Sequence, residues 1–155
     1  MKLRKFWPVC LLITSTAFAA NTGSLLLKSI VPGLNTIEVE AKPLASTLPL
    51  DVTQSNSDVA KVKIKANSTN GYKITISSAN SGKLVHETVS SSNISYTLRF
   101  DSTNVNLATG AEVNYPAPQP SANNAKVEIS YTGVPLSNLI EGNYTDTVTF
   151  TISSL

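Results

Sequence analysis

The sequence predicts an all-β sandwich, and three observations carry that prediction. Apolar and polar residues alternate with a period of two along most of the chain. Turn-forming residues interrupt the alternation about every 8–12 residues. No window shows the apolar stripe of an amphipathic helix. Composition agrees: the 155 residues include 20 Ser, 17 Thr and 14 Asn, whereas charged residues make up only 14%. Small polar side chains therefore supply the wet faces that Lys and Glu supply in most domains.

The strands follow in order. Val62, Ile64 and Ala66 alternate with Lys61, Lys63 and Lys65; Tyr72, Ile74 and Ile76 alternate with Lys73, Thr75 and Ser77. Ile94, Tyr96, Leu98 and Phe100 form a third such run, and Val127, Ile129 and Tyr131 a fourth. Val148, Phe150 and Ile152, between Thr147, Thr149 and Thr151, form the last. Shorter strands are expected at Thr36 to Glu40 and Thr47 to Thr53, separated by Lys42-Pro43. Asn70-Gly71 and Ser81-Gly82 read as tight turns. Asn123-Asn124, Gly133 to Pro135 and Gly142-Asn143 mark further turns, and Pro116, Pro118 and Pro120 one stiff polyproline-like loop.

The first nineteen residues stand apart. Lys2, Arg4 and Lys5 precede an apolar run, Phe6 to Ile13, and small residues end at Ala17-Phe18-Ala19. This is the pattern of a secretory signal. The run is too short to span a bilayer of about 30 Å. Residues 1–19 are therefore expected to be removed on export, with no membrane span after them. Without Lys2, Arg4 and Lys5, the twelve basic residues fall to nine against ten acidic ones. A basic nucleic-acid-binding surface is thereby excluded. The only cysteine, Cys10, lies in the signal, and Trp7-Pro8-Val9 before it lack the small residues of a lipid-attachment site. The exported chain must hold together without a disulfide.

Catalytic chemistry is missing. There is one histidine, His86, and no thiol beyond the signal, so a His- or Cys-rich metal site is excluded. No nucleophile-elbow motif surrounds any serine. Glu38 and Glu40 are the closest same-face acidic pair and specify no ion. Lys61, Lys63 and Lys65 share one strand face, which reads either as a solvated outer face that discourages edge pairing or as a stripe for an anionic glycan or lipid. No enzyme activity, cofactor or metal is expected.

The two ends of the chain carry the functional signal. Counted back from Leu155, Gly142 is fourteenth, and Val148, Phe150 and Ile152 are eighth, sixth and fourth. This spacing resembles the C-terminal strand of periplasmic chaperone–usher pilus subunits, although Ser154 stands where those subunits carry a penultimate aromatic. The run Gly142-x-Tyr144-x-Asp146-x-Val148-x-Phe150 also resembles the ends of spore coat protein U-like domains. At the other end, Leu25, Leu27, Ser29 and Val31 alternate with Leu26, Lys28 and Ile30, and Pro32-Gly33 closes the run. That run resembles the N-terminal extension of pilus subunits. The lack of cysteine fits the colonisation-factor or spore coat protein U-like branch.

The resemblance implies an Ig-like sandwich lacking its last strand, completed by the extension of a neighbouring subunit. It implies signal 1–19, donor extension 20–33 and sandwich 34–155. The donor residues would be Leu25, Leu27, Ser29 and Val31; the accepting strand would use Gly142, Tyr144, Val148, Phe150, Ile152 and Leu155. Identical subunits, a periplasmic chaperone and an outer-membrane usher would be the partners, and a fimbria on the cell surface the destination, supporting adhesion. The alternative is that residues 25–31 fold back in cis, giving a self-complete, monomeric secreted sandwich that binds a ligand such as a glycan.

Overall fold

A computed structural model describes residues 23–155, so the expected signal at 1–19 lies outside the described residues. Residues 23–31 and the body from Pro32 to Leu155 are separate units. The body is all-β, an Ig-like sandwich with open sheets. Its strands are β1 (Asn35–Ala41), β2 (Gln54–Ala66), β3 (Tyr72–Ser78), β4 (Lys83–His86), β5 (Asn93–Ser95), β6 (Thr97–Phe100), β7 (Thr103–Val105), β8 (Ala111–Tyr115), β9 (Gln119–Tyr131), β10 (Tyr144–Thr145) and β11 (Val148–Ser154). One sheet has the order β1-β2-β9-β6-β7; the others are β10-β4-β5 and β11-β3-β8. All neighbouring strands are antiparallel.

The alternation in β2, β3, β6 and β9 fixes the core. Val62, Ile64 and Ala66 of β2 and Ile74 and Ile76 of β3 are wholly buried. So are Phe100 of β6 and Ala125 of β9. Because side chains change face at every residue, this register leaves the lysines of β2 outside. Turn chemistry closes the hairpins. Asp101 and Ser102, at φ 48° and 67°, make the two-residue turn between β6 and β7. Gly71 has φ +88°, and a Cβ there would lie 2.1 Å from the Tyr115 carbonyl oxygen, so glycine is required in the Asn70-Gly71 turn.

Four expectations from the sequence are corrected. Thr47 to Thr53 is not a strand. A short 3-10 helix, Pro43–Ser46, and a turn in which Val52 N–H donates to Pro49 O (3.1 Å) occupy the region. The prolines at 43 and 49 remove ladder donors. The run from Ile94 to Phe100 is two strands in two sheets, switching at Tyr96, whose N–H bonds Gly82 O instead of a ladder partner (2.9 Å). The last strand likewise divides into β10 and β11 around Asp146 and Thr147. Pro120 lies inside β9 and not in the preceding loop.

Candidate functional site

Two edges of the sandwich leave inward-facing side chains partly exposed. Among the described residues β1 pairs only with β2, placing Ile37 opposite Ile64 and Val39 opposite Val62. Directly opposite residues share a face, so Ile37 and Val39 belong to the inner face. Yet Val62 and Ile64 are 0% exposed while Val39 is 48% exposed. β11 repeats this on the facing sheet. Among the described residues it pairs only with β3, with Phe150 opposite Ile76 and Ile152 opposite Ile74. Val148, Phe150 and Ile152 pack against the core yet stay only half-buried, whereas Ile74 and Ile76 are fully buried. The Phe150 ring meets Phe100 of the opposite sheet at 5.6 Å between centroids, which puts β11 over the sandwich interior.

The two edges converge at one end, where Asn35 Nδ2 donates to Ser154 Oγ (2.9 Å). At the other end, beside Val148, lies an apolar cavity of about 120 Å³ lined by Leu48, Val59, Leu98 and Ile129 among others. β1 and β11 are seven residues each. The inner faces of Ile37 and Val39 on one strand and of Val148, Phe150 and Ile152 on the other form a strip whose outer edges have no ladder partner among the described residues, the condition under which an edge captures another strand.

Asp146 sets where this strip begins. Its carboxylate accepts from Ser78 Oγ (2.5 Å), Tyr96 Oη (2.6 Å), Asn80 N–H (2.9 Å) and Thr147 N–H (2.7 Å). These bonds draw the chain out of the β10 ladder and start β11 at Val148. Burial, and then the bond to Asp146, push the Tyr96 phenol up.

The residues singled out by sequence divide accordingly. Val148, Phe150 and Ile152 line the strip. Tyr144 does not; it sits on β10, with its ring edge-on to His86 at 5.0 Å and its hydroxyl bonded to Ser92 Oγ (2.7 Å). Gly142 packs on His86 and has φ +145°; a Cβ there would lie 2.4 Å from His86 Nε2. Leu155 follows β11, its N–H donating to Gly71 O (3.2 Å). Leu25, Leu27 and Val31 carry no helix or strand and, with Leu26 and Ile30, are 79–86% exposed. Ile37 and Val39 were not assigned to the site from sequence, although their alternation was visible.

His86 is a structural residue. It is buried, its Nε2 donates to Glu141 O (2.9 Å), and its Nδ1 accepts from Thr88 N–H and Val89 N–H (3.2 and 3.1 Å). The lysine stripe is partly neutralised from β1. Lys63 bonds Glu40 and lies 3.7 Å from Glu38, and Lys61 lies 3.9 Å from Glu40. The bond from Lys63 holds the Glu40 carboxyl below its usual range and raises the ammonium in turn. Among the described residues, no group of three or more His, Cys, Asp or Glu could hold a metal ion, and no helix is long and apolar enough to cross a membrane.

No protein-family model matches the chain, and no curated protein matches it. Among solved structures it is similar to the CssB subunit of colonization factor CS6 of enterotoxigenic Escherichia coli, complemented with a donor strand from the CssA subunit. That similarity is 20% identity over 74% of this chain and 81% of that chain, at a TM-score of 0.41.

Proposed function

We propose that this chain is a structural subunit of a surface fimbria, in which residues 20–33 of one copy complete the sandwich of the next. The observation that carries the reading is that Val39 of β1 is 48% exposed and Phe150 and Ile152 of β11 are only partly buried, opposite fully buried partners on β2 and β3. Leu25 to Val31 supplies a complement: seven residues, as long as each edge, with Leu25, Leu27, Ser29 and Val31 on one face. Each apolar donor side chain buried in the strip contributes roughly 1.5–3 kcal/mol, and ladder bonds along two edges add to that.

An uncovered edge is an aggregation hazard before assembly. A periplasmic chaperone that lends a strand, and an outer-membrane usher that exchanges it, are the partners this hazard calls for. Export after removal of residues 1–19 belongs to the same reading, as does a supporting role in adhesion.

The test is a body lacking residues 20–33, titrated with a synthetic peptide of that sequence. The expected result is a large rise in unfolding temperature that saturates with peptide, and none with a peptide carrying Leu27→Asp. No stabilisation by the native peptide, with an intact chain that stays monomeric, would overturn the proposal in favour of a self-complete binding domain.

A further inference from the structure

The end of the sandwich beside Val148 carries apolar side chains that the fold leaves uncovered. Leu136 is 70% exposed and Ile140 44%. With Leu48, Leu50, Leu139 and Tyr144 they line an open hollow of about 480 Å³. Its walls are held in place: Val134 N–H donates to Leu50 O (2.9 Å), and Ile140 N–H donates to Tyr144 Oη (3.0 Å). Leu48 also lines the cavity behind Val148, so the hollow adjoins the strip between β1 and β11.

The opposite end fixes where the N-terminal segment joins the body. Asn67 Nδ2 donates to Pro32 O (2.8 Å), Asn67 Oδ1 accepts from Leu34 N–H (2.6 Å), and Asn67 N–H donates to Leu34 O (3.0 Å). The junction is therefore clamped beside Asn35 and Ser154, with Leu34 43% exposed.

Chain length does the rest. Only Pro32, Gly33 and Leu34 separate Val31 from β1. Three residues span at most roughly 10 Å. If residues 25–31 of one copy fill the strip of another, the donating body must press against the end from which Val31 emerges. The Asn35–Ser154 end does not serve, because the acceptor's own segment leaves there for the following copy. Val31 emerges instead at the Val148 end, beside the hollow.

We infer that the hollow around Leu50, Leu136 and Ile140 seats the Leu34–Asn67 end of the copy of this chain that donates the strand. It is a second, head-to-tail contact besides the donor strand. The inference rests on the donor-strand reading and adds the surface on which consecutive bodies meet.

The experiment compares mature wild type with Leu136→Asp and with Leu136→Asp/Ile140→Asp by sedimentation over a range of concentrations. Excess synthetic peptide of residues 20–33 is added in parallel as a chain terminator. Both positions are well exposed in the isolated chain, so the unfolding temperature should be unchanged. The expected result is that half-assembly of the variants needs at least tenfold more protein, while the peptide halts growth at the same concentration as in wild type. Polymers of both variants that form like wild type overturn the inference while leaving the donor strand standing. A peptide without effect on wild type, together with wild type that does not polymerise, overturns the donor-strand reading and the inference with it.

Discussion

Val39→Thr separates an open strip from a closed one. Val39 faces inward opposite Val62 yet is 48% exposed. Fully burying a valine contributes roughly 1.5–3 kcal/mol, so about half of that remains to be gained when a donor covers the position. Threonine keeps the shape and the β-branched backbone preference. Its hydroxyl stays wet in the isolated body, and the substitution there should cost under about 1 kcal/mol. Under a donor strand the hydroxyl loses water, at a cost of about 1–3 kcal/mol if unpaired. Donor-peptide affinity should therefore fall by about 2–4 kcal/mol, roughly 30- to 1,000-fold. Val62→Thr, at a fully buried site, should instead destabilise the isolated body by more than Val39→Thr does. The assay is urea unfolding of the body without residues 20–33, paired with peptide titration by fluorescence anisotropy. Equal peptide affinity for wild type and Val39→Thr would refute the assignment of β1 as an acceptor edge.

Other consequences follow from the same packing. Phe150→Ala should lower the stability of the isolated body by about 2 kcal/mol, below the roughly 3–5 kcal/mol of a fully buried phenylalanine, with a larger loss once the donor is bound; urea midpoints with and without peptide measure both. Gly142→Ala forces a Cβ to 2.4 Å from His86 Nε2 and breaks its bond to Glu141 O, so it should cost at least about 2 kcal/mol. Tyr115 is pushed up to about 12 by burial and by Asp101, and Tyr96 is raised as well. The folded state thus favours the neutral phenols, while unfolded tyrosines ionise near about 10. Their contribution is complete below that value and is lost as pH rises from it through the folded-state pKa. Absorbance at about 295 nm should show these phenols ionising later than free tyrosine, with circular dichroism lost over the same alkaline range.

Sequence reading succeeded where one face is sealed. In β3 from Tyr72 to Ile76, in β2 from Ala60 to Ala66 and in β9 from Ala125 to Tyr131 every second side chain is buried, so the period-two pattern is unbroken there and the faces follow. It failed where a side chain diverts the backbone. Asp146 binds four donors with its carboxylate and ends one strand to begin another; an alternation count scores it as one more polar residue. Tyr96 reads as an inward aromatic, but its hydroxyl reaches Asp146 and its strand changes sheets there. Leu48, Leu50 and Val52 alternate like a strand, although Pro49 leaves no ladder donor between Leu48 and Leu50. The inner face of β11 was legible from spacing at the C-terminus. That of β1 was not, because Ile37 and Val39 alternating with Glu38 and Glu40 describe any exposed edge until Val62 and Ile64 are seen opposite them.

The direction of the donor strand decides between polymer and self-closure. In trans, the segment must begin at the Asn35–Ser154 end of its acceptor and finish at the Val148 end, running parallel to β1 and antiparallel to β11. In cis, Pro32-Gly33 would serve as a hairpin turn, and residues 25–31 would return along β1 antiparallel to it. The same residue then occupies opposite ends of the strip: Leu25 lies beside Ser154 in trans and beside Val148 in cis. Those ends are about 20 Å apart, at ~3.4 Å per residue. A disulfide needs Cβ atoms about 3.5–4.5 Å apart, so one crosslink cannot report both. Cys10, in the expected signal, is the only native cysteine, so introduced pairs meet no competing thiol in the mature chain. Leu25→Cys with Ser154→Cys should oxidise to ladders of covalent oligomers on a non-reducing gel. Leu25→Cys with Val148→Cys should stay uncrosslinked if the strand is donated. A fast, concentration-independent, intramolecular bond in the second pair, with none in the first, would mean that the segment closes its own sandwich. The exposed face of Val39 and the partly buried Phe150 would then be covered from within, and no polymer would be needed to complete the fold.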